Sequence, residues 1–485
     1  MRNNRLQHVQ SRRRLAVVPL VLAVGLAACG GGDGEGSETT IAPGATTTSG
    51  DTVPDLSDQC PLDALESAEG PVEITYWHAM TRANEETLTT LTDEFNASQD
   101  KVAVTLVNQN GYTENFTAFE TAFNTNDSPD LIQLEDTSLQ KVVDAQAVVP
   151  AQACLDAADA TKDDFVKRVV DYYSIDGTLY PMPFNVSNPV FYYNKKSFEA
   201  AGLDPEQAPT TFAEVREYAD ALQGSGIEYG FAFKRDAWVL EQFLALNGEP
   251  YVNNDNGRSG RATAAAFDTD TALEIFEFLD SGQEAGVFVT NPAGGPSGFD
   301  NLINICKGTV PMTIDTSAAL GTAYDVLQGE GCDVEVEIGV APLPGGNGNG
   351  GVLVGGAANF LPANGDDVRL AAAYTYAAFL ASPESQATWA AGTGYIPVSR
   401  AAADSDTIQS LWADKPGYKV AFDQLVSGVD NVATAGPVIG DYKGVRDAMT
   451  DALEAFLVES TSPADALADA KRDADQRIQA YNDGI

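Results

Sequence analysis

The sequence predicts an α/β fold, because short runs of β-branched and aromatic residues alternate with stretches whose apolar residues recur at helical spacing. The chain has 485 residues, which exceeds the roughly 250 to 300 residues at which a single hydrophobic core stops growing. We therefore expect two lobes, each with its own core. Hydrophobic residues make up 44% of the chain, a fraction typical of a globular protein and too high for a disordered one.

The alternation of strands and helices is clearest between residues 72 and 134. Its members are a strand over Val72 to Tyr76, a helix marked by Leu88, Leu91 and Phe95, a strand over Val102 to Val107, a helix marked by Phe116, Phe119 and Phe123, and a strand over Asp130 to Leu134. This order is typical of a parallel sheet with crossover helices. Ligands in such sheets bind beyond the carboxyl ends of the strands, so we expect the loops after Tyr76, Val107 and Leu134 to converge on a site.

The net charge argues against two classes of partner. The chain carries 28 Lys and Arg against 70 Asp and Glu, which gives a formal net charge of −42. Binding to nucleic acid depends on clustered cations that neutralise phosphates, and an anionic membrane surface attracts proteins in the same way. We therefore expect no nucleic acid partner and no charge-driven binding to a membrane.

The first 28 residues predict an export signal. Five arginines and no acid lie within Met1 to Arg14, and Leu15 to Ala28 is uncharged and largely apolar. This stretch is shorter than the roughly 20 apolar residues that a membrane-spanning helix needs. It ends in Leu26-Ala27-Ala28-Cys29, which resembles the lipobox of bacterial lipoproteins. We therefore expect a lipoprotein signal peptide over 1–28 and lipidation of Cys29; an ordinary secretory signal followed by a chance cysteine is the alternative.

Residues 29–59 are rich in Gly, Ser, Thr, Asp and Pro, which is typical of a flexible linker. A lipid anchor on Cys29 would then hold an extracytoplasmic protein at the cell membrane through this tether.

Four further cysteines predict two disulfides, since an even number in an exported protein favours pairing. Three connectivities are possible; we favour Cys306 with Cys332, which are close in sequence, and Cys60 with Cys154. No CxxC or HxxxH spacing is present, and His78 is the only histidine outside the signal peptide. We therefore predict no metal site and no cofactor, and we disfavour a catalytic dyad built on histidine.

Three segments together identify a family. They are Trp77-His78-Ala79-Met80, Phe95-Asn96 and Pro183-Phe184-Asn185-Val186-Ser187-Asn188-Pro189-Val190-Phe191-Tyr192-Tyr193-Asn194-Lys195. They resemble the extracellular solute-binding proteins, family 1, of sugar-type ABC importers. Within that family the resemblance is closest to members that bind glycerol 3-phosphate, and it continues through Ala201 to Gln207 and Thr393 to Pro397.

The resemblance implies a two-lobed periplasmic-binding fold, a type II clamshell whose lobes are discontinuous in sequence. One lobe would hold residues 60–187 plus 316–362, and the other 188–315 plus 363–485. It also implies a monomer that binds a small-molecule solute and delivers it to membrane permease subunits, with no catalytic residues.

The family's ligand contacts, carried over by position, fall on seven residues, and a nearby tryptophan would complete an aromatic wall. The resulting ligand-binding set is Tyr112, Glu135, Ser187, Trp238, Thr316, Gly356, Tyr395 and Arg446. An arginine fork with hydroxyls and a backbone N–H suits a phosphate, and a carboxylate with a tyrosine suits glycerol hydroxyls. Two departures from the family pattern are Thr316 in place of serine and Phe212 in place of tryptophan, and the latter would alter the apolar wall.

Structural interpretations of the same residues stay open. Arg446 could pair with Asp441 or Asp447, and Glu135 could belong to the start of a helix. Tyr395 and Gly356 could serve packing or the hinge, and Trp77 and His78 are better explained as a strand end.

Three hypotheses for function follow. The first is a lipid-anchored solute receptor for glycerol 3-phosphate or a glycerophosphodiester, and the second is the same fold binding a di- or oligosaccharide. The third is a glycosidase using Glu135 and Asp136, which we disfavour because adjacent residues seldom flank a scissile bond with carboxylates roughly 5 to 9 Å apart.

Overall fold

The computed structural model describes residues 55–292, 300–327 and 331–485. The predicted signal peptide, Cys29 and most of the predicted linker lie outside these residues. None of the helices within the described ranges combines the length and the apolar composition that crossing a membrane requires.

The strands of the described residues are β1 (Val72–His78), β2 (Val102–Asn108), β3 (Leu131–Glu135), β4 (Val148–Val149), β5 (Ser174–Ile175), β6 (Thr178–Leu179), β7 (Met182–Ser187), β8 (Pro189–Asn194), β9 (Phe231–Arg235), β10 (Phe288–Pro292), β11 (Met312–Thr316), β12 (Ile338–Ala341) and β13 (Gly355–Pro362). Short 3₁₀ turns include Asp136–Ser138 and Ser317–Ala319, which follow β3 and β11 directly.

The helices are α1 (Arg82–Ser98), α2 (Tyr112–Thr125), α3 (Leu139–Asp144), α4 (Ala151–Ala157), α5 (Lys167–Tyr173), α6 (Lys195–Ala201), α7 (Phe212–Gly224), α8 (Ala237–Leu246), α9 (Asn253–Gly257), α10 (Asp270–Glu284), α11 (Asp300–Cys306), α12 (Leu320–Leu327), α13 (Asp367–Ala381), α14 (Pro383–Gly392), α15 (Arg400–Ala403), α16 (Asp406–Asp414), α17 (Pro416–Ser427), α18 (Tyr442–Leu457) and α19 (Pro463–Asn482). The short α9 is a left-handed turn, because Asn254, Asp255 and Asn256 have φ values of 54°, 52° and 62°.

The first sheet has the strand order β2-β1-β3-β13-β4, with β7 also paired to β13. Strand β1 is parallel to β2 and β3, which confirms the strand and crossover-helix pattern predicted for residues 72–134. Leu88, Leu91 and Phe95 of α1 are buried, as their helical spacing predicts. Strand β13 runs antiparallel to β3, β4 and β7.

The second sheet has the strand order β10-β9-β11-β8-β12. Strand β9 is parallel to β10 and β11, whereas β8 is antiparallel to β11 and β12. A separate hairpin pairs β5 with β6. The described residues therefore form a mixed α/β structure with two principal sheets.

The chain passes between the two sheets at different points from those predicted. The first passage runs from β7 to β8 through Asn188. The second differs from the predicted boundary, because Ile338–Ala341 lies in the range 316–362 predicted for the first lobe and yet pairs with β8 of the second sheet. An apolar strand in the sequence does not indicate which sheet it joins, so this boundary was placed too early.

Helix α13 also departs from the predicted boundaries. It lies in the range 363–485 predicted for the second lobe, but it packs against the first sheet. Tyr376 shares a hydrogen bond of 2.6 Å with Thr92 of α1, and its ring lies 5.8 Å from that of Tyr76 in β1. Arg369 pairs with Asp130, just before β3, at 2.5 Å.

The four described cysteines form the two disulfides that the sequence favours. Cys60 is bonded to Cys154, and Cys306 to Cys332. The first bond ties the segment before β1 to α4, and the second joins α11 to the segment that precedes β12.

Candidate functional site

All eight ligand-binding residues predicted from the sequence line one cavity of about 380 Å³. That volume lies within the range usual for small-molecule sites, roughly 300 to 1,000 Å³. The cavity lies between the two sheets. The first-sheet side contributes Tyr112, Glu135, Ser187, Gly356 and Tyr395, and the second-sheet side contributes Trp238, Thr316 and Arg446.

Strand ends account for much of this convergence. Glu135, Ser187 and Thr316 are the last residues of β3, β7 and β11, and Tyr112 begins α2 after β2. This is the expected location of a ligand at the carboxyl ends of strands. The loop after β1 contributes none of the cavity lining among the described residues. His78 is buried there, and its Nδ1 accepts a hydrogen bond from the backbone N–H of Met80.

Arg446 is held by two buried carboxylates. Its Nε and Nη2 donate to Glu241, both at 2.8 Å, and its Nη1 and Nη2 donate to Asp136 at 3.2 and 2.7 Å. The side chains of Glu241 and Asp136 are 0% and 2% exposed. Neither predicted alternative partner pairs with Arg446, because Asp441 caps α18 and Asp447 pairs with Lys443.

Two tyrosines extend this ion pair network. Tyr172 donates to Asp136 at 2.7 Å, and Tyr442 donates to Glu241 at 2.8 Å while its ring lies 4.7 Å below the Arg446 guanidinium. Burial acts to lower the pKa of Arg446, but Asp136 and Glu241 raise that pKa well above its usual value. Arg446 is therefore always charged, and most of its N–H groups are already used.

Glu241 was missed in the sequence, although a signal for it exists. It lies in the middle of Ala237–Leu246, a helix whose other side chains are almost all apolar. A single acid inside such a helix is usually paired, because an unpaired buried carboxylate is strongly disfavoured. That signal predicts a buried cation nearby without saying which one.

Glu135 lies at the edge of the same network. Its Oε1 is 3.8 Å from Arg446 Nη1, and its Oε2 accepts a hydrogen bond from Thr137 at 3.2 Å. Burial, followed by repulsion from Asp136, raises the pKa of Glu135 to about 7 against the opposing effect of Arg446. Glu135 also occupies the N-cap position of the 3₁₀ turn Asp136–Ser138, as the structural interpretation predicted, but its side chain makes no capping hydrogen bond there. Glu135 can therefore gain or lose a proton near neutral pH.

Tyr112 and Tyr395 form a neutral wall opposite Arg446. Their hydroxyl oxygens lie 3.3 Å apart, and Asn185 Nδ2 donates to the Tyr112 hydroxyl at 3.0 Å. The Tyr395 ring stacks on Trp389 with centroids 5.4 Å apart, and Trp389 stacks on Phe184 at 4.7 Å. This stack fixes the orientation of Tyr395 toward the cavity.

Thr316 and Trp238 supply a hydroxyl and an aromatic surface from the second-sheet side. The Thr316 hydroxyl oxygen accepts from the backbone N–H of Ala318 at 3.1 Å, which leaves its own O–H to donate elsewhere. The Trp238 indole packs so closely on Gly355 that a Cβ there would lie 2.6 Å from the ring. Gly356 is equally constrained, because its φ is +89° and an added Cβ would collide with the Asn185 carbonyl oxygen.

The expectation for Phe212 is wrong. Its ring stacks on Phe278 at 4.6 Å and meets Phe243 edge-on at 5.1 Å, and Phe212 does not line the cavity. The replacement of the family's tryptophan by Phe212 therefore does not alter the cavity wall, where Trp238 supplies the indole surface.

Carboxylates outnumber cations among the residues that line the cavity. Lys234 pairs with Asp315 at 2.8 Å, and Lys443 pairs with Asp447 at 2.9 Å, so each lining cation has a carboxylate partner. Within the described ranges, no group of three or more Asp, Glu, His or Cys side chains is arranged to hold a metal ion. The five lining carboxylates are Glu135, Asp136, Asp236, Asp315 and Asp447, and the three cations are Lys234, Lys443 and Arg446.

Comparison with known proteins gives the family. Residues 90–417 match the model of the bacterial extracellular solute-binding proteins, which is more than half of the chain. The chain belongs to this family. It is 27% identical over 429 residues to the sn-glycerol-3-phosphate-binding periplasmic protein UgpB of Escherichia coli, covering 87% of this chain and 95% of that protein. The corresponding protein of Pectobacterium atrosepticum is 28% identical over 84% of this chain and 92% of its own.

Two solved structures illustrate the fold that this chain shares with other binding proteins. UgpB from Mycobacterium tuberculosis in complex with glycerophosphocholine superimposes with a TM-score of 0.70 at 21% identity, covering 86% of this chain and 99% of that one. The GacH receptor of Streptomyces glaucescens, solved unliganded and with acarbose, gives a TM-score of 0.70 at 18% identity over 84% and 99%. The family member described here therefore has the two-domain periplasmic-binding fold that the resemblance implied.

Proposed function

We propose that this chain is the lipid-anchored solute-binding component of an ABC importer and that it binds a glycerophosphodiester in the cavity around Arg446. It acts as a monomer outside the cytoplasm, closes its two lobes on the solute, and passes the solute to permease subunits. It carries out no reaction of its own. The similarity to UgpB supports a glycerophosphate group as the common chemical element of the solute.

The ion pairs of Arg446 favour a phosphodiester over a phosphomonoester as the solute. A phosphomonoester approaches two negative charges at neutral pH, whereas a phosphodiester has one. Arg446 is already paired with Asp136 and Glu241, and lining carboxylates outnumber lining cations. Such a cavity stabilises a single negative charge better than two, because each further charge must be desolvated without a free cation to meet it.

The remaining donors suit a diester. Arg446 Nη1 has the longest contacts of the guanidinium, 3.2 Å to Asp136 and 3.8 Å to Glu135, so it is the nitrogen best able to turn to a solute oxygen. The Thr316 O–H is a second donor on the same side of the cavity. The carboxylates Asp236 and Asp447 would then face hydroxyls or a cationic head group.

The same contacts argue against a glycosidase. Both oxygens of Asp136 accept hydrogen bonds from Arg446, and Tyr172 also donates to one of them. A carboxylate held in this way is a poor nucleophile and a poor proton donor. Glu135 and Asp136 therefore do not form the pair of carboxylates that glycoside hydrolysis uses.

A di- or oligosaccharide is the second candidate. The excess of carboxylates and the aromatic surfaces of Trp238 and Tyr395 favour it, because sugars present hydroxyl donors and apolar ring faces. The structural similarity to a receptor solved with acarbose is consistent with this alternative.

Calorimetry and thermal unfolding with three solutes distinguish the candidates. We expect glycerophosphocholine to bind more tightly than glycerol 3-phosphate and to raise the melting temperature more, since a solute that binds only the native state stabilises it. Maltose should have no effect. Tighter binding of glycerol 3-phosphate would overturn the diester argument, and binding of maltose alone would establish the saccharide alternative.

The lipid anchor is tested separately with Cys29→Ser. We expect the wild type to incorporate a labelled fatty acid and to partition with membranes, and the Ser variant to do neither. Labelled lipid on the Ser variant would contradict an anchor at Cys29. This result is independent of the solute.

A further inference from the structure

A chain of hydrogen bonds runs through the first sheet and ends in the cavity. The backbone N–H of Ala79 donates to Gln133 Oε1 at 2.9 Å, and Gln133 Nε2 donates to Asn185 Oδ1 at 3.0 Å. Asn185 Nδ2 then donates to the Tyr112 hydroxyl at 3.0 Å, and that hydroxyl lies 3.3 Å from the Tyr395 hydroxyl. Gln133 and Asn185 are fully buried, so water does not compete for these groups.

The backbone N–H of Ala79 fixes the donor-to-acceptor direction of this series of hydrogen bonds. A backbone N–H can only donate, so the side-chain oxygen of Gln133 must face Ala79 and its nitrogen must face Asn185. Asn185 must then present its oxygen to Gln133 and its nitrogen to Tyr112. The orientations of both amides follow from one backbone group, and the Tyr112 hydroxyl oxygen is placed as an acceptor.

The number of hydroxyl protons on the tyrosine pair determines how many donors remain for a solute. Tyr112 and Tyr395 together carry two hydroxyl protons, and the contact between them uses one. The contact between Asn185 and Tyr112 uses a proton of Asn185, so one phenolic proton is left over. Burial raises the pKa of Tyr112 and of Tyr395, so both hydroxyls keep their protons at neutral pH.

We propose that Gln133 and Asn185 are positioning residues that fix the hydrogen-bond direction of the Tyr112 and Tyr395 pair, so that this wall offers the solute one phenolic O–H donor. The inference rests on the proposed function only in taking the cavity as the solute site. Glu135 lines the same side of the cavity as an acceptor. A donor next to an acceptor matches an alcohol, whose oxygen accepts from the phenol while its proton goes to Glu135. This wall therefore selects a free hydroxyl group, such as those of a glycerol moiety.

The substitution Asn185→Asp reverses the direction of the hydrogen bond between residue 185 and Tyr112 without changing the shape of the side chain. The ionised carboxylate that it introduces accepts from Gln133 and also from Tyr112, which takes the Tyr112 proton away from the pair. Tyr395 must then donate to Tyr112, and no phenolic proton is left for the solute. We expect affinity for glycerophosphocholine to fall about tenfold or more, as loss of a buried donor typically causes.

The pH dependence distinguishes this effect from a general structural defect. When protonated, the introduced carboxyl group has one O–H donor and one acceptor oxygen, so it reproduces the hydrogen bonds of asparagine. The ratio of wild-type to variant affinity should approach one at low pH and increase as the pH rises. The ionisable groups near this wall include Glu135, His78, Tyr76, Tyr112, Tyr173 and Tyr395, and Asp136 and Arg446 line the same cavity. All of them are present in both proteins, so the ratio isolates the introduced carboxyl group.

Asn359→Asp is the matched control. Asn359 is fully buried in the same sheet and accepts from Tyr76 at 2.6 Å, outside the chain of hydrogen bonds that leads to Tyr112. Its Nδ2 has no partner among the described residues, so an oxygen there removes no hydrogen bond. We expect its ratio of affinities to show no comparable pH dependence. If Asn185→Asp does not fold, Gln133→Glu is the second variant, because Asn185 would turn to donate to the introduced carboxylate and would then accept from Tyr112.

Two outcomes overturn the inference. One is an affinity of Asn185→Asp that equals that of the wild type at every pH while the wild type binds glycerophosphocholine. The other needs no solute: neutron diffraction of the deuterated wild type should place a deuteron of Asn185 Nδ2 toward Tyr112. A Tyr112 deuteron that points at Asn185 would disprove the direction. Failure of the wild type to bind glycerophosphocholine would count against the proposed function, and the neutron result would still decide this inference.

Discussion

The two sides of the cavity satisfy their polar groups in different ways. On the second-sheet side, Arg446 is neutralised by Glu241 and by Asp136, which reaches it from the end of β3. On the first-sheet side, Tyr112 and Tyr395 are neutral, and their mutual contact uses only one of their two hydroxyl protons. The ionic side is satisfied within the protein, whereas the neutral side is completed only by a solute. Removal of Arg446 or of its carboxylate partners should therefore affect folding first, whereas a change in the hydrogen-bond direction of the Tyr112 and Tyr395 pair should affect binding first.

The largest expected effect is that of Arg446→Ala on stability. It leaves Asp136 and Glu241 buried without their cation, which typically costs about 3 to 5 kcal/mol. Urea unfolding of the variant, compared with Arg477→Ala, measures this; Arg477 forms a half-exposed helix pair with Asp473 worth less than about 1 kcal/mol. Affinity for glycerophosphocholine should also fall at least about thirtyfold under conditions where the variant is folded. If both variants are equally stable, Arg446 is not the centre of an internal ionic network.

A second prediction tests the close backbone contact between Gly356 and Asn185, next to the tyrosine pair. Gly356→Ala places a Cβ against the Asn185 carbonyl at a φ of +89°, so we expect a loss of about 2 to 4 kcal/mol from strain and overpacking together. Gly365→Ala is the control, because its φ is +77° with open space around the added Cβ. Its loss should stay near the roughly 1 to 2 kcal/mol of the left-handed conformation alone. Equal losses would show that the contact with Asn185 contributes nothing.

The neutral side was easier to predict from the sequence than the ionic side. Ser187 and Tyr395 lie in segments whose residue types and order identify the family, so their positions could be carried over. The partners of Arg446 could not be found in that way, because Asp136, Glu241 and Arg446 are far apart in sequence and no local pattern joins them. The local alternatives, Asp441 and Asp447, were the wrong partners for this reason.

The fold shows the same limit. Periodicity placed β1, α1, β2, α2 and β3, since burial on one face is a local property of the sequence. It could not assign β12 and α13 to a sheet, because that depends on contacts with residues more than a hundred positions away. The boundaries predicted for the lobes therefore failed at these two elements.

Glu135 lies between the two sides and should link stability to pH. Its folded pKa of about 7 lies above the ordinary value of 4.5, so the native state holds this proton more strongly than the unfolded chain. The resulting stabilisation is complete below about pH 4.5 and is lost as the pH rises through 7. Relative to Glu135→Gln, the wild type should therefore lose about 1 to 2 kcal/mol of its free energy of unfolding between pH 4.5 and 8. This loss is smaller than the full pKa shift would give, because the Glu135 side chain is about a third exposed to solvent. A constant difference between the two unfolding curves across this range would refute the raised pKa.

The smallest effect should come from Thr316, and it separates binding from folding on the ionic side. Thr316→Val removes the acceptor for the Ala318 N–H and the free O–H donor, whereas Thr316→Ser keeps both and removes only a methyl group. Loss of one net hydrogen bond is worth about 0.5 to 1.5 kcal/mol, so the Val variant should bind glycerophosphocholine roughly 2- to 10-fold more weakly. The Ser variant should bind as the wild type does, because the family pattern has serine at this position. Calorimetry of both variants, with urea unfolding to subtract the loss of the cap, measures the difference. Equal weakening in both would mean that the methyl group contacts the solute and that the hydroxyl serves the fold alone.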